Sequence, residues 1–146
     1  MTGLLFLCVA NAARSQLAEG LARARLGSAV RVQSAGSRPA AVSPLAIQVM
    51  EEIGIDISDH RSKGVDAIEV GTIDIAVTLC GEEGCPAILK SVQQIHWAIP
   101  DPAAATSSEP QRLERFRSAR DEIAARLGDL EIRIFAQDEL SVPVLR

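Results

Sequence analysis

The run Leu4-Leu5-Phe6-Leu7-Cys8-Val9 is apolar at every position. A strand with one face in water alternates apolar and polar residues, so an unbroken run predicts a strand buried on both faces. That restricts the chain to folds in which helices cover a sheet on two sides. The segments that follow agree. Asn11 to Ser15 is a loop of small residues. Ser15 to Leu26 has helical spacing of Leu17, Ala18, Leu21, Ala24 and Leu26, with Gly27 as its stop. Val30 to Ser34 is a second strand, followed by a turn over Gly36 to Pro39. Ser43 as cap and Pro44 at the first helical position begin a helix that ends near Ile53 and Gly54. Asp59 to Gly64 is a polar loop, and Val65 to Val70 a short helix. Ile73 to Leu79 and Gln94 to Ile99 are further strands. Pro110 to Leu127 is the longest helix, with Leu113, Phe116, Ile123, Ala124 and Leu127 on its apolar face. Beyond Gly128, Glu131 to Ala136 alternates as a strand would. Strands that alternate with helices imply βαβ units. The expected fold is therefore an α/β three-layer sandwich: a four-stranded parallel sheet in the order 2-1-3-4, helices on both faces, one domain over residues 1–146.

Charge removes several functions. The net charge is −4, without the basic surplus of a nucleic-acid binder. An anion site would have to be built locally, against that field. Ala10-Asn11-Ala12 resembles a signal-peptidase site, but Met1 and Thr2 supply no basic segment before it. No other run approaches the ~20 apolar residues that span a bilayer. A cytoplasmic monomer with reduced thiols is expected. Three cysteines, an odd count, argue against a structural disulfide framework.

Ligands of open parallel sheets collect at the carboxyl ends of the strands. Cys8 ends the first strand, Cys80 follows the third and Asp101 the fourth. In the order 2-1-3-4 the first and third strands are neighbours about 4.8 Å apart, which would bring Cys8 and Cys80 to one edge. The strongest motif is Cys8-Val9-Ala10-Asn11-Ala12-Ala13-Arg14-Ser15, placed between a strand and a helix. Backbone N–H groups of such a loop can point inward at a tetrahedral anion, assisted by the helix N-terminus. Arg14 adds a two-pronged donor, and the same positive environment favours Cys8 as a thiolate. Val9 to Ser15 would bind the substrate. The plainer alternative is a buried cysteine beside a surface arginine. Cys80-Gly81-Glu82-Glu83-Gly84-Cys85-Pro86 is a flexible loop able to close a local disulfide. Zinc is its rival reading, although His60 and His96 complete a poor ligand set; two unrelated thiols is the plainest. Asp101-Pro102 is either a turn or a general acid beside the cysteine loop. His96 and Trp97 are structural on this reading.

The Cys8-to-Arg14 signature followed by Ser15 resembles the low-molecular-weight protein tyrosine phosphatase fold. Arg14-Ser15-Gln16-Leu17-Ala18-Glu19-Gly20 resembles, more narrowly, the thioredoxin-coupled arsenate reductases built on it. The likeness continues through Ser34-Ala35-Gly36, Asp59-His60, Thr78-Leu79-Cys80, Cys85-Pro86 and Asp101-Pro102, covering roughly residues 3–127. It implies one such domain over the whole chain, with arsenate as substrate and phosphate or sulfate as competing oxyanions. It implies a relay in which Cys80 attacks Cys8 and Cys85 then attacks Cys80, the disulfide being reduced by thioredoxin. No organic cofactor or metal is required. Some members hold a potassium ion behind the anion loop, on ligands that resemble Asn11, Glu19 and Ser34 and an aspartate at the position of Lys63 here. The resemblance thus implies that Lys63 takes the place of the ion and supports the loop.

Two other functions fit part of the pattern. A phosphatase for phosphotyrosine or small phosphoesters would use the loop, Arg14 and Asp101 equally, but has no need of Cys80 and Cys85. A redox sensor or anion-binding regulator would have a reactive Cys8 without turnover.

Overall fold

The computed structural model describes residues 1–79, 92–103 and 108–141. Strand β1 (Thr2–Cys8) contains the apolar run, and six of its seven residues are buried. It lies between β2 (Val30–Gly36) and β3 (Ile75–Thr78), and β4 (Gln93–His96) closes the far edge. The order is β2-β1-β3-β4 with every pair parallel, as the alternation of strands and helices required.

Period-two alternation along β1 divides the core. Leu4, Phe6 and Cys8 face a layer of α1 (Arg14–Leu26), α2 (Pro44–Glu51) and α3 (Glu109–Ser141), packed through Leu17, Met50, Phe116, Ile123 and Leu127. Leu5 and Leu7 face the opposite layer, where Ile68 and Ile73 accompany two short 3₁₀ turns, Val65–Ala67 and Val70–Thr72. The expected short helix at Val65 to Val70 is thus two tighter turns. Trp97 is buried against Phe6, with ring centroids 6.1 Å apart.

Two local expectations are corrected. The longest helix does not stop at Gly128, and Glu131 to Ala136 is no strand: α3 runs unbroken to Ser141. Leu130 and Ile134 continue the buried stripe of Ile123 and Leu127, while Ile132 is exposed. Ser43 does occupy the N-cap of α2, with Pro44 next, but its hydroxyl makes no capping bond. Its backbone is instead tied to the loop after β1, through Ser43 N–H to Ala12 O at 2.9 Å.

Candidate active site

The loop from Val9 to Ala13 owes its shape to where its carbonyls go. Val9 O accepts from Arg38 N at 2.8 Å, Ala10 O from Ala40 N at 2.9 Å and Ser62 Oγ at 2.8 Å, and Ala12 O from Ser43 N. Asn11 O accepts from Gln16 Nε2 at 3.1 Å, and Ala13 O from Leu17 N in the first turn of α1. With its carbonyls held from outside, the loop can turn its N–H groups toward the cavity at the N-terminus of α1, an arrangement that binds anions. Gly36 makes the close approach possible. A Cβ there would lie 2.5 Å from Val9 O and 2.8 Å from Asn11 N.

Asn11 is the hub of the loop. It is fully buried and has a left-handed φ of 49°, which asparagine tolerates better than most residues. Its Nδ2 donates to Ser15 Oγ at 2.7 Å and to Ser34 Oγ at 2.9 Å. Its Oδ1 accepts from Gln16 Nε2 at 3.0 Å and from the Lys63 backbone N–H at 2.8 Å. Ser34 Oγ in turn donates to Glu19. Ser15 Oγ accepts from Asn11 and shares a hydrogen bond of 2.8 Å with the Cys8 sulfur, in which the hydroxyl is the donor whenever Cys8 is a thiolate. Both sides of Cys8 are thereby controlled: β1 fixes its backbone and the Ser15 hydroxyl is hydrogen-bonded to its sulfur.

Glu19 is a buried carboxylate and needs compensation. Arg23 approaches it at 3.1 Å, and His60 Nδ1 and Lys63 Nζ each at 3.7 Å. Lys63 Nζ also donates to Arg61 O at 3.0 Å. A separate cation placed here would meet positive charge already in position, so the residues present do not fit a resident potassium ion.

Arg14 lines the other wall. Its guanidinium donates to Leu79 O at 3.3 Å and Ile99 O at 3.0 Å and lies 3.9 Å from Asp101 Oδ2. Asp101 is about one-third exposed, and its Oδ1 accepts from Ala103 N at 2.9 Å, so it is both a turn residue and a group at the cavity. Cys8, Val9, Ala10, Ala12, Ala13, Arg14, Ser43, Asp101 and Ala103 surround one cavity of about 330 Å³. Asn11 and Ser15 support it from behind. Cys80 and Cys85, and the meeting of Cys80 with Cys8, lie outside the described residues. The described chain does bring Leu79 N–H to Leu7 O, at 2.8 Å, directly beside the end of β1.

Residue-level reading made Ser43 a helix cap and put Gly36 in a turn, but gave Gln16, Gly36, Ser43 and Ser62 no role at the cavity. Gln16 is fully buried and joins Asn11, Arg61 O at 3.1 Å and His60 Nδ1 at 3.0 Å. An amide at a buried helical position next to the motif was the available signal.

A sulfur nucleophile at a cavity also lined by a guanidinium and a carboxyl group, themselves 3.9 Å apart, suits one kind of chemistry: attack on a tetrahedral oxyanion with an acid at hand for the departing oxygen. The class is therefore that of cysteine-dependent oxyanion enzymes on a parallel α/β sheet. The chain belongs to the low molecular weight phosphotyrosine protein phosphatase family, whose model matches residues 3–140, and within it to the arsenate reductase branch. Arsenate reductase of Bacillus subtilis is 40% identical over 128 residues, covering 86% of this chain and 92% of that protein. A solved arsenate reductase in its phosphate-binding state superposes with a TM-score of 0.81 at 32% identity, covering 92% of this chain and 99% of the other. A thioredoxin-dependent arsenate reductase of Corynebacterium glutamicum has a TM-score of 0.66 and 27% identity, over 91% of this chain and 63% of its own.

Proposed function

We propose that this enzyme reduces arsenate to arsenite in the cytoplasm, as a single-domain monomer over residues 1–146, through Cys8, Cys80 and Cys85 in series and with a thioredoxin-like dithiol as reductant. The observation that carries the reading is Cys8 at the loop cavity, its sulfur 2.8 Å from the Ser15 hydroxyl, with Arg14 and Asp101 lining the same cavity. Arsenate binds the loop amides and the Arg14 fork; phosphate and sulfate compete for the same donors. Cys8 attacks arsenic, and one oxygen leaves as water with a proton from Asp101. Cys80 then attacks the Cys8 sulfur. The electron pair of the sulfur–arsenic bond passes to arsenic, arsenite departs, and a Cys8–Cys80 disulfide remains. Attack by Cys85 on Cys80 frees Cys8 and leaves Cys80–Cys85 for the external dithiol. Such exchanges are favoured where the attacking thiol is ionised and accessible. The pairing of Leu7 with Thr78, one residue short of Cys8 and two short of Cys80, supports the first exchange. Asn11, Glu19 and Ser34 hold the loop from behind, and Lys63 supplies there the positive charge that an ion would otherwise bring.

The test is Cys85→Ser given arsenate. It should release about one arsenite per enzyme and stop, and peptide mapping should find Cys8 joined to Cys80. Absence of that bond refutes the relay order. Cys8→Ser should abolish arsenate reduction, and full activity in that variant would refute the nucleophile. A phosphoester assay run alongside, in which Cys80→Ser keeps any hydrolysis, separates the relay from phosphatase chemistry.

A further inference from the structure

Ser43 stands at the edge of the cavity above Cys8. A second cavity of about 340 Å³ adjoins it, and Ser43 and Ala103 line both. An inorganic oxyanion displaces only a few waters, each with a share of about 30 Å³ in the liquid. The loop cavity alone, at about 330 Å³, exceeds that need. Sites for organic ligands have mostly apolar walls and a few fixed polar groups. The second chamber has that character: Pro44 and Leu45 of α2 and Phe116 of α3 are apolar, and Gln48, Glu109 and Arg112 are polar.

Arg112 carries the argument. Its Nε is buried and has no hydrogen-bond partner, a state that buried donors of charged groups rarely keep. Glu109 is one helical turn away and lines the same chamber, yet no ion pair joins the two among the described residues. Arg112 Nε is thus a buried donor without an acceptor, on the wall of a chamber that shares Ser43 and Ala103 with the cavity of the nucleophile.

We propose that the second chamber binds the organic part of an arsonate, R–AsO₃, in which R is a flat apolar group with an acidic substituent. The arsonate head sits in the anion loop, the body lies against Leu45 and Phe116, and the acid accepts from Arg112. This rests on the reading of Cys8, Asp101 and the relay given above. The chemistry balances as for arsenate. Cys8 bonds to arsenic while one oxygen leaves as water. Cys80 then attacks the Cys8 sulfur, the sulfur–arsenic pair passes to arsenic, and the pentavalent arsonate becomes a trivalent arsonous acid. Two thiols become one disulfide, which the dithiol reductant removes, and the carbon–arsenic bond stays intact.

Calorimetry with non-reducible mimics tests the site without turnover. Phosphate, phenylphosphonate, 4-carboxyphenylphosphonate and 4-(carboxymethyl)phenylphosphonate are titrated into the wild-type enzyme and Arg112→Ala. One carboxylated compound should bind at least about tenfold more tightly than phenylphosphonate, as a charge-assisted bond allows. Arg112→Ala should erase that gain and leave phosphate and phenylphosphonate unchanged, whereas Glu109→Gln should enlarge it. The matching carboxylated phenylarsonate should be reduced, with KM raised and kcat kept in Arg112→Ala. Equal binding of all three phosphonates, a gain that survives Arg112→Ala, or no arsonous acid from the arsonate under conditions in which the enzyme reduces arsenate would overturn the proposal alone. Failure of phosphate itself to bind would overturn it together with the reading of the loop.

Discussion

Asn11→Ala should be among the most damaging single substitutions outside the reacting residues. The change deletes four hydrogen bonds, to Ser15, Ser34, Gln16 and the Lys63 amide, and places alanine at a φ of 49°. At a net value of about 1 kcal/mol each, the bonds contribute roughly 4 kcal/mol. The left-handed backbone adds about 1 kcal/mol for a residue with a Cβ and no local hydrogen bond. The expected loss is therefore about 4–6 kcal/mol, a large part of the roughly 5–15 kcal/mol that stabilises a domain. Urea unfolding with an unchanged slope measures it. Asn11→Gly separates the two contributions. It loses the same bonds but accepts the positive φ, so it should be more stable than Asn11→Ala by about 1 kcal/mol. Anion affinity should fall in both variants, because the Ser15 hydroxyl is no longer directed at Cys8. A stability loss below about 1 kcal/mol would mean that the buried network contributes almost nothing net and would refute the argument. Equal losses for alanine and glycine would refute the strain alone.

Asp101→Asn should lower arsenate turnover by roughly 10²-fold to 10⁴-fold, the range of a positioned acid, and an unchanged rate would make Asp101 a turn residue only. Melting temperature and activity should be equal in potassium and sodium salts of matched ionic strength, because a cation about 4 Å from the Lys63 ammonium is repelled by about 4 kcal/mol at an effective dielectric near 20. Lys63→Ala should lose stability, and a gain specific to potassium in the parent protein would overturn the replacement. Hydrogen bonds from Arg117, then Arg120, lower the Glu52 carboxyl from 4.5 to about 2. The link between α2 and α3 should therefore be at full strength above pH 4.5 and weaken as pH falls through about 2, and Glu52→Gln should flatten that part of the stability curve.

What could be read from the chain alone was whatever residue type reveals. An apolar run of six predicts a strand covered on both faces, and β1 is one. Cysteine, arginine and aspartate at strand ends identify themselves, and Cys8, Arg14 and Asp101 do line one cavity. The misreading at Glu131 to Ala136 has a physical origin. Over six residues Ile132, Ile134 and Ala136 mimic a period of two, whereas Ile123, Leu127, Leu130 and Ile134 hold a helical stripe over a longer span. Gly128 then served as an apparent stop, when its position is a point of contact between helices: a Cβ there would come within 3.4 Å of the Arg25 guanidinium. The anion loop shows the deeper limit. Its shape depends on the amides of Arg38, Ala40 and Ser43 holding Val9 O, Ala10 O and Ala12 O. Every residue but proline carries such an amide, so nothing in the side chains from Arg38 to Ser43 marks these donors. Side chains that reach the loop from elsewhere, such as Gln16 and Ser62, are also ordinary surface types, and only their burial against the motif separates them from solvent-facing neighbours. The reacting groups are therefore legible because their chemistry is rare, and their scaffold is obscure because it is built from the commonest groups in the chain.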